Sequence, residues 1–115
     1  MDKKREVFRL NVTIKNSESY LLASLSGEID HHTAKAVREA IDDAIGRFAP
    51  KKLVLDFRDV SFMDSSGIGL VMGRYKLMRE NDGSLSVANL TGQQKKVMKL
   101  AGLDKLVTFE EVVRQ

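Results

Sequence analysis

Phe8, Leu10, Val12 and Ile14 alternate with Arg9, Asn11, Thr13 and Lys15. A period of two describes a strand with one buried and one solvated face. Asn16-Ser17-Glu18-Ser19 reads as a turn, and Tyr20 to Leu25 as a second, more apolar strand ended by Gly27, so the pair predicts a hairpin. Ala34, Val37, Ile41, Ala44, Ile45 and Phe48 then recur at helical spacing, with Lys35, Arg38, Glu39, Asp42 and Asp43 outside. Thr33 or Asp30 is suited to cap this helix, and Gly46 and Pro50 mark its end. Leu53 to Phe57, bounded by Lys51-Lys52 and Arg58-Asp59, suits a central strand covered on both faces. From Ile68, the positions Val71, Met72, Tyr75 and Met78 predict a helix reaching Glu80. Beyond the Asn81-Asp82-Gly83 turn, Leu85 to Ala88 reads as a strand, Gln93 to Ala101 as a helix stopped by Gly102, and Leu106 to Phe109 as a last strand. Glu110 to Gln115 begins a short final helix.

The order β-β-α-β-α-β-α-β-(α) places the chain in the α/β class. It predicts a mixed sheet of about five strands with three to four helices, the later strands pairing in parallel through right-handed crossovers. The polar side of the first strand predicts unequal helix cover on the two sheet faces. With 115 residues and no linker or repeat, residues 1–115 form a single domain, residues 1–7 being a flexible N-terminal arm. At 12.9 kDa the scaling of surface with mass allows about two-thirds of the extended chain's surface to be buried, enough for a core without staples.

Charge and composition narrow the chemistry. The net charge of +3 and pI near 9.3 invite a nucleic-acid reading. The basic clusters Lys3-Lys4-Arg5, Lys51-Lys52 and Lys95-Lys96 are short and dispersed, however, and no aromatic residues alternate with them as a stacking platform would need. No apolar run approaches the ~20 residues of a membrane span, and Arg9 and Asn11 interrupt any signal-peptide core after Val7-Phe8. The expectation is a cytoplasmic protein that binds neither nucleic acid nor membrane. Zero cysteines exclude disulfides, thiolate zinc sites and cysteine nucleophiles, and two histidines leave little for acid–base work.

Two segments remain as candidate sites. Asp64-Ser65-Ser66-Gly67 lies between a strand and a helix, where α/β proteins gather their ligands. Read structurally, it is a helix cap with Gly67 and Gly69 permitting a tight turn. It holds one capping residue too many, so one hydroxyl should face solvent. A nucleophilic elbow needs glycine two residues before the serine; Met63 and Asp64 stand there, and the only histidines, His31 and His32, lie upstream, against the chain order of that fold. Gly67-x-Gly69-x-x-x-Gly73 misses the dinucleotide fingerprint by one residue. Gly69 and Gly73, one turn apart, instead suggest close packing of helix on sheet. The second segment, Gly27-Glu28-Ile29-Asp30-His31-His32-Thr33, admits three readings: a metal site, a solvated capping loop, or a partner-contact loop. Adjacent histidines diverge and no third ligand is near, which disfavours metal. If the strands preceding the two segments are parallel neighbours, both loops share one edge of the sheet.

At these segments the sequence resembles the anti-sigma factor antagonists, built on the STAS domain. The residues that carry the resemblance are Gly27-Glu28-Ile29-Asp30-His31-His32-Thr33-Ala34 and Ser61-Phe62-Met63-Asp64-Ser65-Ser66-Gly67-Ile68-Gly69, with Gly73-Arg74-Tyr75-Lys76 beyond them. The Asp-His-His-Thr-Ala loop and the Gly-Arg-Tyr-Lys run resemble the sporulation branch, which antagonises the anti-sigma F factor. The resemblance implies a STAS-like fold and a non-enzymatic switch in sigma-factor-dependent transcription. Ser65 would accept phosphate from an anti-sigma factor that is itself a serine kinase. Asp30, His31, Thr33, Asp64, Ser66 and Gly67 would contact that partner, and a PP2C-type phosphoserine phosphatase would reset the switch. No catalytic residue, cofactor or metal is implied in this chain; the kinase holds ATP and magnesium.

Overall fold

The structure, a computed structural model, describes residues 6–9 and 11–111. Strands β1 (Glu6–Arg9), β2 (Val12–Asn16), β3 (Leu21–Ile29), β4 (Lys52–Met63), β5 (Ser84–Ala88) and β6 (Thr108–Glu110) form one mixed sheet in chain order. The first three run antiparallel, whereas β3 to β6 are parallel, joined by helices α1 (Ala34–Phe48), α2 (Ser65–Glu80) and α3 (Gly92–Leu100).

The sixth strand corrects the expected continuous first strand, which divides into β1 and β2. Asn11 takes a left-handed conformation, φ 70°, which Asn tolerates better than most residues. Its side chain donates to the Ser26 carbonyl at 2.7 Å while its own carbonyl accepts from Ser26 N at 2.9 Å, tying the turn to β3. Glu6 and Val7, expected in the arm, belong to β1; residues 1–5 lie outside the described residues. So does most of the expected final helix, whose first residue, Glu110, ends β6. A 3-10 turn at Leu103–Lys105 delays that last strand to Thr108. A reciprocal cap between Thr91 and Gln94 starts α3.

One sheet face carries the core. Val12, Ile14, Leu21, Ala23 and Leu25 meet Leu53, Leu55, Phe57, Leu85 and Val87 beneath Val37, Ile41 and Ile45 of α1 and Leu70, Val71 and Met78 of α2. Burying each large side chain contributes ~1.5–3 kcal/mol before entropy is counted. The other face holds only a small cluster of Leu22, Val54 and Ala88 with Tyr20 beside it, which agrees with the unequal cover expected from the first strand. The segment Leu53 to Phe57 is buried on both faces, as a central strand requires.

That strand does not stop at Phe57. β5 pairs with β4 only as far as Asp56 and β2 with β3 only as far as Leu25. Past the Asn11 tie at Ser26, β3 and β4 continue as a two-stranded ribbon ending at Ile29 opposite Met63. Two register shifts, each adding a residue on the β4 side, twist this ribbon. Gly27, at φ 72° between the shifts, adopts a backbone that an L side chain would strain. The ribbon carries both candidate loops.

Candidate functional site

Because Ile29 and Met63 are paired in parallel, the segments that follow them leave the sheet side by side, and Asp64 N donates to the Ile29 carbonyl at 3.3 Å. The sequence therefore brings the two candidate loops together at one edge.

In the first loop, Asp30 Oδ1 accepts from the backbone N–H groups of His32 at 2.9 Å and Thr33 at 3.1 Å. Thr33 is the N-cap of α1, yet its side chain does not cap it. The hydroxyl turns back instead, donating to the Glu28 carbonyl at 2.8 Å and accepting from Asp30 N at 3.0 Å, which closes the loop on itself. Burial pushes the Asp30 carboxyl up, but the backbone donors of Thr33 and His32, with the nearby His32 ring, outweigh it and leave the group below its ordinary value. His31 and His32 are exposed, their rings tilted by 38° with centroids 3.9 Å apart. No cluster of three or more metal-ligating side chains occurs among the described residues.

In the second loop, Asp64 is the N-cap of α2, its Oδ1 accepting from Ser66 N at 2.7 Å and its carbonyl from Gly67 N at 3.0 Å. The helix therefore starts at Ser65, three residues before the first apolar position that predicts it. With Asp64 capping, the Ser65 hydroxyl has no hydrogen-bond partner among the described residues and Ser65 is exposed, while Ser66 is half-buried. This is the solvent-facing hydroxyl that the surplus of cappers predicts. Neither serine hydroxyl is hydrogen-bonded to an imidazole among the described residues, so no nucleophile–base pair is assembled.

Gly67 is buried, and a Cβ there would collide with the Met63 side chain. Gly69 and Gly73 behave differently. A Cβ on either would meet nothing within 4 Å, so they do not pack against the sheet as expected; they face an open groove between α1 and α2.

Sequence reasoning missed one residue here. Arg74 entered only through the Gly-Arg-Tyr-Lys resemblance, but it is 6% exposed, with Nε 2.8 Å from Asp42 Oδ1, and joins α2 to α1. The contact is an ion pair without hydrogen-bond alignment. Burial depresses the Arg74 pKa and raises that of Asp42, against the attraction between them. The available signal was Arg74 on the apolar stripe one position before Tyr75, opposite an acid-bearing α1.

The STAS domain family matches residues 11–115. The anti-sigma F factor antagonist of Paenibacillus polymyxa is 36% identical over 98 residues, covering 85% of this chain and 84% of that protein. The anti-sigma-B factor antagonist of Bacillus subtilis (strain 168) is 31% identical over 98 residues, covering 85% and 88%. The anti-sigma factor antagonist SpoIIAA in its unphosphorylated form superposes with a TM-score of 0.77 at 29% identity, over 90% of this chain and 89% of that one. Its phosphorylated form, from Bacillus, superposes with a TM-score of 0.72 at the same identity, over 90% and 92%.

Proposed function

This chain belongs to the STAS domain family of anti-sigma factor antagonists, and we propose that it works as a phosphorylation-controlled binding module. Unphosphorylated, it captures an anti-sigma factor that is also a serine kinase and so frees the sigma factor; phosphorylated on Ser65, it lets go. The observation that carries this reading is the exposed, unbonded Ser65 hydroxyl at the first residue of α2, beside the Asp30 loop.

The chemistry asked of this chain is small. The Ser65 oxygen attacks the γ-phosphorus of ATP, the bond to the bridging oxygen of the departing ADP breaks, and the hydroxyl proton passes to a base on the kinase. Asp64 Oδ1 is taken up by Ser66 N, and no hydrogen bond joins its carboxylate to the Ser65 hydroxyl among the described residues. Asp30, His31 and Thr33 on one loop and Asp64 and Ser66 on the other present the docking surface, while Gly67, expected to contact the partner, is buried over Met63 and shapes the loop from beneath. ATP and magnesium belong to the partner, and a PP2C-type phosphatase restores the serine. The structure of the relative SpoIIAA in a phosphorylated form supports a phosphorylated form of this fold. The Asp30-His31-His32-Thr33-Ala34 and Gly73-Arg74-Tyr75-Lys76 runs favour the sporulation branch.

Phosphorylation adds about −1.5 to −2 charges and three acceptor oxygens. At a helix N-terminus that charge stabilises the helix by about 0.3–1 kcal/mol, reduced by repulsion from Asp64. In a desolvated interface an unpartnered phosphate costs several times more, so binding is lost while the fold is kept. With labelled ATP and the cognate kinase, wild type incorporates one phosphate and Ser65→Ala incorporates none. Ser65→Ala still binds the kinase, whereas Ser65→Asp binds poorly. Label on Ser65→Ala would move the acceptor elsewhere.

A further inference from the structure

The groove that opens beside Ser66 has a chemistry of its own. It measures about 480 Å³ between α1 and α2. His31, Lys35 and Arg38 line one wall, Ser66 and Arg74 the other, and Gly69 and Gly73 leave the floor bare. Asp42 is committed to Arg74 at 2.8 Å. Lys35 and Arg38 are exposed, and neither forms an ion pair with a carboxylate among the described residues. The trough therefore carries two exposed cations, Lys35 and Arg38, on its α1 wall and is wide where two glycines remove side chains.

We propose that this groove docks an acidic segment of the anti-sigma factor, a deepening of the proposed function that rests on that reading. Three features support the occupant. The groove is continuous with the phosphoacceptor loop through Ser66 and His31, so a partner placed over Ser65 lies at its mouth. Its charge is complementary to carboxylates: Arg74 is engaged by Asp42, but Lys35 and Arg38 form no ion pair among the described residues. From Ser66 to Arg74 the helix rises about 12 Å at 1.5 Å per residue, room for three or four residues of extended chain at about 3.3 Å each. A trough open along its length suits such a segment, with carboxylates reaching Lys35 and Arg38 and backbone lying over Gly69 and Gly73.

The test measures affinity of the unphosphorylated full chain for its cognate anti-sigma factor by calorimetry at low and high salt. Two variants probe the groove independently. Lys35→Glu with Arg38→Glu reverses the exposed cations, and Gly73→Leu fills the floor without changing charge. Lys96→Glu with Lys99→Glu, exposed on α3, is the control for net charge. Both groove variants should bind at least tenfold more weakly with unchanged melting temperature, and the control within twofold. The wild-type affinity should also fall with salt more steeply than that of the charge variant.

Groove charge reversal that leaves affinity within twofold, or a control that weakens binding equally, overturns the acidic-segment proposal while leaving the partner reading intact. If Gly73→Leu does not fold, the charge variant, which alters only exposed side chains, decides. A wild-type chain that neither binds the kinase nor accepts phosphate from it overturns both.

Discussion

Asp64, Ser65 and Gly67 divide the work of the loop among neighbouring residues. Asp64 supplies the cap, Gly67 allows the helix to start over Met63, and Ser65 is left with its hydroxyl free. Asp64→Ala should cost about 1 kcal/mol of stability, the usual loss for a helix cap, measured by urea unfolding. Gly67→Ala places a methyl where the Met63 side chain lies and should cost about 1–3 kcal/mol through overpacking. A neutral result would mean that Met63 swings aside. Asp30 gives a pH signature. Its carboxyl sits below the ordinary 3.8 in the folded chain, so its stabilising effect on the loop is complete above that value and is lost as pH falls through the lower folded one. An NMR titration of Asp30 should give an apparent value under 3.8; one at or above it would mean that the His32 and Thr33 donors do not hold the carboxylate in solution.

At the scale of elements, α2 is fixed at its start by the cap at Asp64 and just past its middle by the Arg74–Asp42 pair against α1. Removing one partner of a buried ion pair costs about 3–5 kcal/mol. The Asp42 side chain keeps 35% of its exposure, so water recovers part of this and Arg74→Met should cost about 1–3 kcal/mol. Asp42→Leu with Arg74→Met removes both charges and should lie within about 1 kcal/mol of wild type. An additive double variant would show that the pair does not couple the helices.

The amphipathic spacing from Ala34 to Phe48 spans α1, and the apolar run from Leu53 to Phe57 marks the buried centre of β4. Gly46, expected to mark the end of α1, lies inside the helix, and the left-handed Ala49 caps it. The break at Asn11 was hidden because β1 and β2 share one alternation, and the left-handed backbone at Asn11 falls in the middle of it. The ribbon end of β4 was hidden for the opposite reason. Arg58, Asp59, Ser61 and Phe62 are exposed there, so they carry no buried alternation, and their pairing to β3 is a long-range fact. The serine loop was legible because capping is local chemistry. The orientation of Gly69 and Gly73 was not, since it depends on how α2 lies beside α1.

For the whole molecule, one phosphate moves the net charge from +3 to about +1. That total is too small to govern association by itself; its position at the first residue of α2 is what bears on a partner. Ser65 follows the ribbon that β3 and β4 extend beyond the end of β5, and it is exposed rather than part of the buried core. Phosphorylation should therefore leave thermal unfolding within about 1 kcal/mol of the unmodified chain, the size of a helix-terminus charge effect. The central claim is the link between that local charge and release. It is tested most directly by titrating the cognate anti-sigma factor with the unmodified chain and with chain phosphorylated at Ser65. Affinity should fall by about a hundredfold or more, about 2.7 kcal/mol; equal affinity for the two forms would contradict the switch.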